Sequence, residues 1–350
     1  MKYGTTKMVV GGVVFLFILA GLGGSVNGNN ISDAHHALLK KGMAYYQNVR
    51  ANHGIDDSQQ MLKVWFLKQP SVKKVSLANR DMTVEFNDGH KVVILGHMEN
   101  QATWGKPSGT PGHGGHGGGG GGGGGTTVTQ TPGSKKALIL DPFDWEGGVF
   151  HNPDLMNNVE GYLQSAGYTY TYLKNSQVTL SVIENDLAQY GVIYNRGHGG
   201  TSGRTVIIST GEAWTSSTTS TYSTEYNNGE IVEVSISASD GYHYFIAYTP
   251  KLIQDHYTNL PNSLVYMESC ESMKASNMGD AYVGAGAGAY MGWDKSVSVT
   301  YGDSTADTSF QMFSTGSSVD DVANAFGPDP STHANLKYAG AGDLGLVMPS

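Results

Sequence analysis

One cysteine in 350 residues has nothing in the chain to pair with, so no internal disulfide can staple this fold. Basic residues are also scarce. Lys and Arg number 21 against 30 Asp and Glu, a net charge of −9, which excludes the basic footprint of a nucleic-acid binder. No Walker loop, zinc-ligand spacing or H-E-x-x-H stretch is present, so neither cofactor nor metal is expected. Charged residues are only 15% of the chain, and Gly, Ser, Thr and Tyr supply most of the polarity. The 39% of hydrophobic residues is enough for a core, and the length suits one large domain or two smaller ones.

The longest apolar run is short. "MVVGGVVFLFILAGL", residues 8–22, follows Lys2 and Lys7 and precedes the small residues of "GGSVNGNN". It falls below the ~20 residues of a comfortable spanning helix. The order of basic, apolar and small residues reads as a signal peptide over 1–28, or an uncleaved N-terminal anchor. Either places the rest of the chain outside the cytoplasm, secreted or at the cell surface. Membrane contact is expected only if the segment stays attached.

Three regions follow. Residues 31–99 read as a small α+β module: a helix capped by Ser32, a second short helix, and two strands joined at Asp88-Gly89. Residues 100–134 are rich in glycine and cannot bury a core, so they read as a linker. Its His113 and His116 have no acidic or thiol partner and make a poor metal site. From Lys135 to residue 350, strands and helices alternate. Apolar strands of this kind imply a mainly parallel sheet covered on both faces. The segment 204–246, rich in β-branched and aromatic residues, reads as an antiparallel β insertion.

In such sheets the functional groups gather at the carboxyl ends of strands. Two ends stand out. "VIYNRGHGG" delivers His198 among glycines, and "LVYMESCESM" delivers Cys270 at the polar end of an apolar run. A thiol needs a base within reach to become a nucleophile. The glycines beside His198 let a main chain approach closely and let an N–H meet an oxyanion. Side chains alternate along a strand, so Glu268 and Cys270 share a face. Glu271 reads as a solvated loop acid, and Asp141 and Asp144 in "DPFDW" as turn residues or pocket acids. "GAGAGA" from Gly284 loosely fits a dinucleotide pattern but lacks its context, and reads as a tight turn between a helix and a strand.

The paired motifs resemble those of the caspase-like (clan CD) cysteine peptidases, the group of caspases, legumains, clostripain-like enzymes and gingipains. "ESCES" is most similar to the legumain pattern, and "GAGAGAYMGWDKSVS" (284–298) to clostripain-like and gingipain-like members. The resemblance covers residues 136 to about 300. It implies a three-layer α/β/α fold, with Cys270 as nucleophile, His198 as general base, and the N–H groups of Gly199 and Cys270 as oxyanion donors. It also implies that Glu268, with Asp141 and Asp144, lines the S1 pocket of a peptide or protein substrate, after a basic P1 residue or Asn. The separation, 270 − 198 = 72 residues, is longer than that family leads one to expect, and the Thr-rich insertion accounts for it. The chain is therefore expected to be an exported cysteine endopeptidase. Its module would be prodomain-like, released by cutting near Lys106, Lys135 or Lys136, or else the tether is a spacer that holds the domain off a surface. The alternative is an inactive caspase-like domain used for surface binding or adhesion.

Overall fold

A computed structural model describes residues 28–78, 80–96, 126–238 and 240–348. The apolar stretch at 8–22, His113, His116 and Lys106 lie outside the described residues. Among those described, no helix is long and apolar enough to cross a membrane.

The chain opens with α1 (Gly28–Arg50) and α2 (Ile55–Leu67), followed by β1 (Val72–Ala78), β2 (Asp81–Phe86) and β3 (Lys91–Ile94). Two expectations change here. Ser32 lies inside α1 instead of capping it, and the alternating stretch folds into three strands, because the chain also turns between Ala78 and Asp81. Period-two alternation runs unbroken through such a turn, so the second hairpin was invisible in the pattern. The remainder runs β4 (Lys136–Asp141), α3 (Pro153–Ser165), β5 (Thr169–Lys174), α4 (Leu180–Asn185), β6 (Val192–Arg196), β7 (Gly199–Ser202) and β8 (Thr205–Ala213). It continues through α5 (Thr218–Thr221), α6 (Ser223–Asn228), β9 (Ile231–Ala238), β10 (Gly241–Tyr248), α7 (Pro250–His256), β11 (Leu264–Glu268), α8 (Asn277–Gly284) and β12 (Ala289–Trp293). It ends in α9 (Val299–Ser314), α10 (Val319–Ala325) and β13 (Leu336–Gly340). The insertion is thus not wholly β, since α5 and α6 interrupt it.

Six strands form one sheet in the order β13-β12-β11-β6-β4-β5, parallel except for β13. Its residues alternate between two cores. Ile139, Tyr194 and Tyr266 face α3, α9 and α10, where they meet Val159, Phe310 and Val322. Leu140, Ile193 and Met267 face α4, α7 and α8, where they meet Ile183, Leu252 and Met278. Helices therefore cover both faces, a three-layer α/β/α arrangement. Burying both faces explains why these strands read as continuous apolar runs.

The second sheet has seven strands in the order β1-β2-β3-β9-β10-β8-β7. The module's β3 pairs in parallel with β9 of the insertion, so module and insertion build one continuous sheet. Helices α1 and α2 close one face through Leu39, Met43, Leu62 and Phe66. The other face packs Val93, Val234 and Phe245 against Phe143, with Trp145 and Phe150 alongside. Those three aromatics belong to the loop after β4, so the shared sheet supports that loop.

Residues 126–134, read as part of the linker, pack against the region that follows. Thr126 donates from N–H to Asp321 Oδ1 at 3.0 Å, Val128 is buried, and Gly133 N–H reaches Pro261 O at 2.7 Å. Lys135 and Lys136 belong to the folded part of the chain. Lys135 reaches Leu346 O at 3.1 Å, and Lys136 opens the interior strand β4.

Candidate active site

β6 and β11 are parallel neighbours with Arg196 opposite Glu268. His198 and Cys270 each lie two residues beyond that matched pair, so the register alone carries both to the same carboxyl edge. They line one cavity with Phe143, Phe150, Arg196, Gly197, Glu268, Val297 and Val299. His198 and Cys270 are 3% and 5% exposed, so both side chains are buried where they line it.

Gly199 opens β7 with its main chain against the turn that carries Cys270. A Cβ there would lie 2.7 Å from Cys270 O and 3.1 Å from Ser269 Cβ. The first distance is shorter than side chains tolerate, and the obstacle is backbone. Gly199→Ala is therefore expected to push the Cys270 turn away and lower kcat at least ~100-fold while the protein still folds, since a misplacement of about 1 Å costs that much. Peptide hydrolysis and a melting curve check it. Wild-type kcat in Gly199→Ala would contradict the close approach.

The imidazole is fixed by a residue that the sequence reading missed. His198 Nε2–H donates to Glu146 Oε1 at 2.7 Å, and both side chains are buried. Phe143 and Phe150 flank the ring at 4.4 and 5.2 Å between centroids. With Nε2 occupied by the carboxylate, Nδ1 is the nitrogen left to take a proton. The thiol itself donates to Val297 O at 3.6 Å, and among the described residues no hydrogen bond joins Sγ to the imidazole.

A charged cluster lies under the cavity. Arg196 donates from Nε and Nη2 to Asp303 Oδ1 and Oδ2 at 2.7 and 3.0 Å. Its remaining N–H groups go to Asp141 Oδ1 at 3.3 Å, Phe150 O at 2.6 Å and Val149 O at 3.1 Å. All five guanidinium donors are thus engaged. Burial works against the Arg196 charge, but Asp303, Glu268 and Asp141 outweigh it and keep the group protonated.

Glu268 is buried, with Tyr194 OH donating to its Oε2 at 2.5 Å. Burial, and then the neighbouring Asp303 carboxylate, push the Glu268 pKa well up, and Arg196 offsets only part of this. Gly302 on α9 leaves room for it, because a Cβ there would sit 2.9 Å from Glu268 Oε1.

The other expected pocket acids lie elsewhere. Asp141 is buried beneath the site, bound to Arg196 and to Tyr172 OH at 3.1 Å. Burial raises its pKa to about 6 despite those partners. Asp144 faces away from the cavity, bound to His151 Nδ1 at 2.6 Å and Lys174 Nζ at 3.5 Å. Burial would raise its pKa, but His151 and Lys174 hold it below the usual value. Glu271 is not a solvated loop acid. It is 5% exposed, has a left-handed φ of 57°, accepts from Thr201 Oγ1 at 3.2 Å and lies 3.6 Å from Lys274 Nζ.

Among the described residues, no group of three or more His, Cys, Asp or Glu side chains could hold a metal ion. No family model matches the chain, and no curated protein matches its sequence.

Proposed function

We propose that the protein is an exported cysteine endopeptidase of caspase-like fold. The observation that carries this is the convergence of Cys270 and a carboxylate-oriented His198 on one cavity at the carboxyl edge of a parallel sheet. In the reaction, Sγ attacks the scissile carbonyl as its proton passes to His198 Nδ1. The oxyanion is held by the N–H groups of Gly199 and Cys270. His198 then gives its proton to the leaving amine as the C–N bond breaks. Water, deprotonated by the same imidazole, cleaves the thioester and restores the thiol.

P1 specificity follows from the cluster. With every Arg196 donor spent, the cavity offers no cation to an acidic P1 side chain. Glu268, whose carboxyl pKa burial raises, ionises most readily when a cation enters. The substrate is accordingly basic at P1, with Asn as the alternative for a Glu268 that keeps its proton.

A pH dependence follows. An acid with a raised pKa is ionised only as the pH climbs through that raised value. Cleavage after Arg or Lys should therefore rise with pH above the usual carboxylate range, and cleavage after Asn should lack that rise. Glu268→Gln should lower kcat/KM on basic substrates about 10²-fold, as expected when one partner of a buried charge pair is removed. It should also flatten the pH rise and leave Cys270 alkylation unchanged. Equal activity of mutant and wild type on basic substrates would refute the assignment.

One observation favours the alternative, an inactive surface-binding or adhesion domain: Cys270 is almost wholly enclosed and its thiol is turned to Val297. A fluorogenic peptide panel with Cys270→Ala as control separates the two. Turnover by wild type alone supports the peptidase, and no turnover of any peptide supports the binding domain.

A further inference from the structure

The module reaches the catalytic centre from behind. Asp81, at the start of β2, is 2% exposed, and its Oδ2 accepts from Thr201 N–H at 2.7 Å. Its Oδ1 accepts from Gly96 N–H at 3.1 Å. A Cβ at Gly200 would lie 2.4 Å from Asp81 Oδ2, so the carboxylate sits directly against the strand that follows His198. Thr83 Oγ1 and Ser202 Oγ add a second link at 3.1 Å.

Thr201 carries the connection onward. Its hydroxyl donates to Glu271 Oε2 at 3.2 Å, and Glu271 directly follows the nucleophile in a left-handed conformation. Glu271 N–H is in turn fixed on Lys295 O at 3.1 Å. One residue, held by the module, thus ties the strand after the base to the turn after the nucleophile. A non-Gly residue with positive φ persists only where its surroundings hold it, and the Thr201 bond is part of that hold. Among the described residues, those lining the cavity fall between 143 and 299, and none belongs to the module.

We infer that the N-terminal module is a permanent positioning element of the catalytic centre, acting through Asp81 and Thr201 on the Cys270–Glu271 turn, and not a detachable inhibitory segment. The inference rests on the peptidase reading. Asp81 and Thr201 are positioning residues that touch no substrate.

The test uses the full chain. Thr201→Val removes only the hydroxyl and should lower kcat about tenfold with KM within about twofold, the scale of one hydrogen bond to a charged group. Thr201→Ser should restore most of it. A second form carries a specific protease site placed between residues 100 and 125. After cutting, its two pieces should elute together and keep kcat. Wild-type kcat in Thr201→Val with only a lower melting temperature would overturn the inference. So would release of the module with a rise in kcat.

Cys270 alkylation by iodoacetamide provides a readout independent of the substrate. A rate that falls in His198→Ala but not in Thr201→Val sinks this inference alone. A rate that is the same in wild type and His198→Ala sinks the dyad, and this inference with it.

Discussion

Glu146→Ala should cost about 10³-fold in kcat with KM little changed. The carboxylate holds the His198 ring through Nε2 and leaves Nδ1 free for the thiol. Loss of the group that orients a catalytic histidine costs up to ~10⁴ where the imidazole adopts the wrong tautomer. Glu146→Gln should lie between wild type and alanine, because its amide oxygen still accepts from Nε2–H but offers no charge to the imidazolium. Single-turnover and steady-state kinetics check this. A Glu146→Ala enzyme within about threefold of wild type would remove Glu146 from the catalytic account.

Arg196→Leu should cause the largest loss of stability. Arg196 is the shared partner of Asp303 and Asp141, it neighbours Glu268, and it binds the carbonyls of Val149 and Phe150. Removing the cation from a buried cluster costs about 3–5 kcal/mol, because the remaining charges keep their desolvation penalty. The loss should shrink toward acid pH. There Asp141, whose pKa lies near 6, is protonated and no longer needs a counter-charge. Denaturant unfolding at several pH values measures both effects. A loss that is independent of pH would mean that Asp141 is not part of the cost.

The core of this site could be read in the sequence because it obeys local rules. Apolar runs ending in "RGHGG" and "ESC" mark strand ends in any parallel sheet, and the register then brings His198 and Cys270 together. Glu146 obeyed no such rule. It sits in a turn-rich loop 52 residues before His198, and only the fold brings it to the ring. Arg196 stood inside the quoted motif, but its role needed the knowledge that β6 lies beside β11, and its main partner Asp303 belongs to a helix that was not assigned. The joining of module and insertion was hidden for the same reason. Pairing β3 with β9 is a choice between distant segments, and neither strand's own pattern records it. Glu271, read as solvated, and Asp141 and Asp144, read as turn residues or pocket acids, share one lesson. A loop carboxylate looks the same in sequence whether water or a buried partner surrounds it.

The central claim is that Cys270 is a nucleophile activated by His198, and intact-mass analysis of a mechanism-based adduct tests it most directly. The full chain is treated with a peptidyl acyloxymethyl ketone bearing Arg at P1, which is captured only by an activated thiolate positioned against a bound carbonyl. Wild type should gain one inhibitor mass, mapped to Cys270. His198→Ala should gain it at least ~100-fold more slowly, and Cys270→Ala should gain none. No adduct on the wild type, or the same labelling rate in wild type and His198→Ala, would contradict the account.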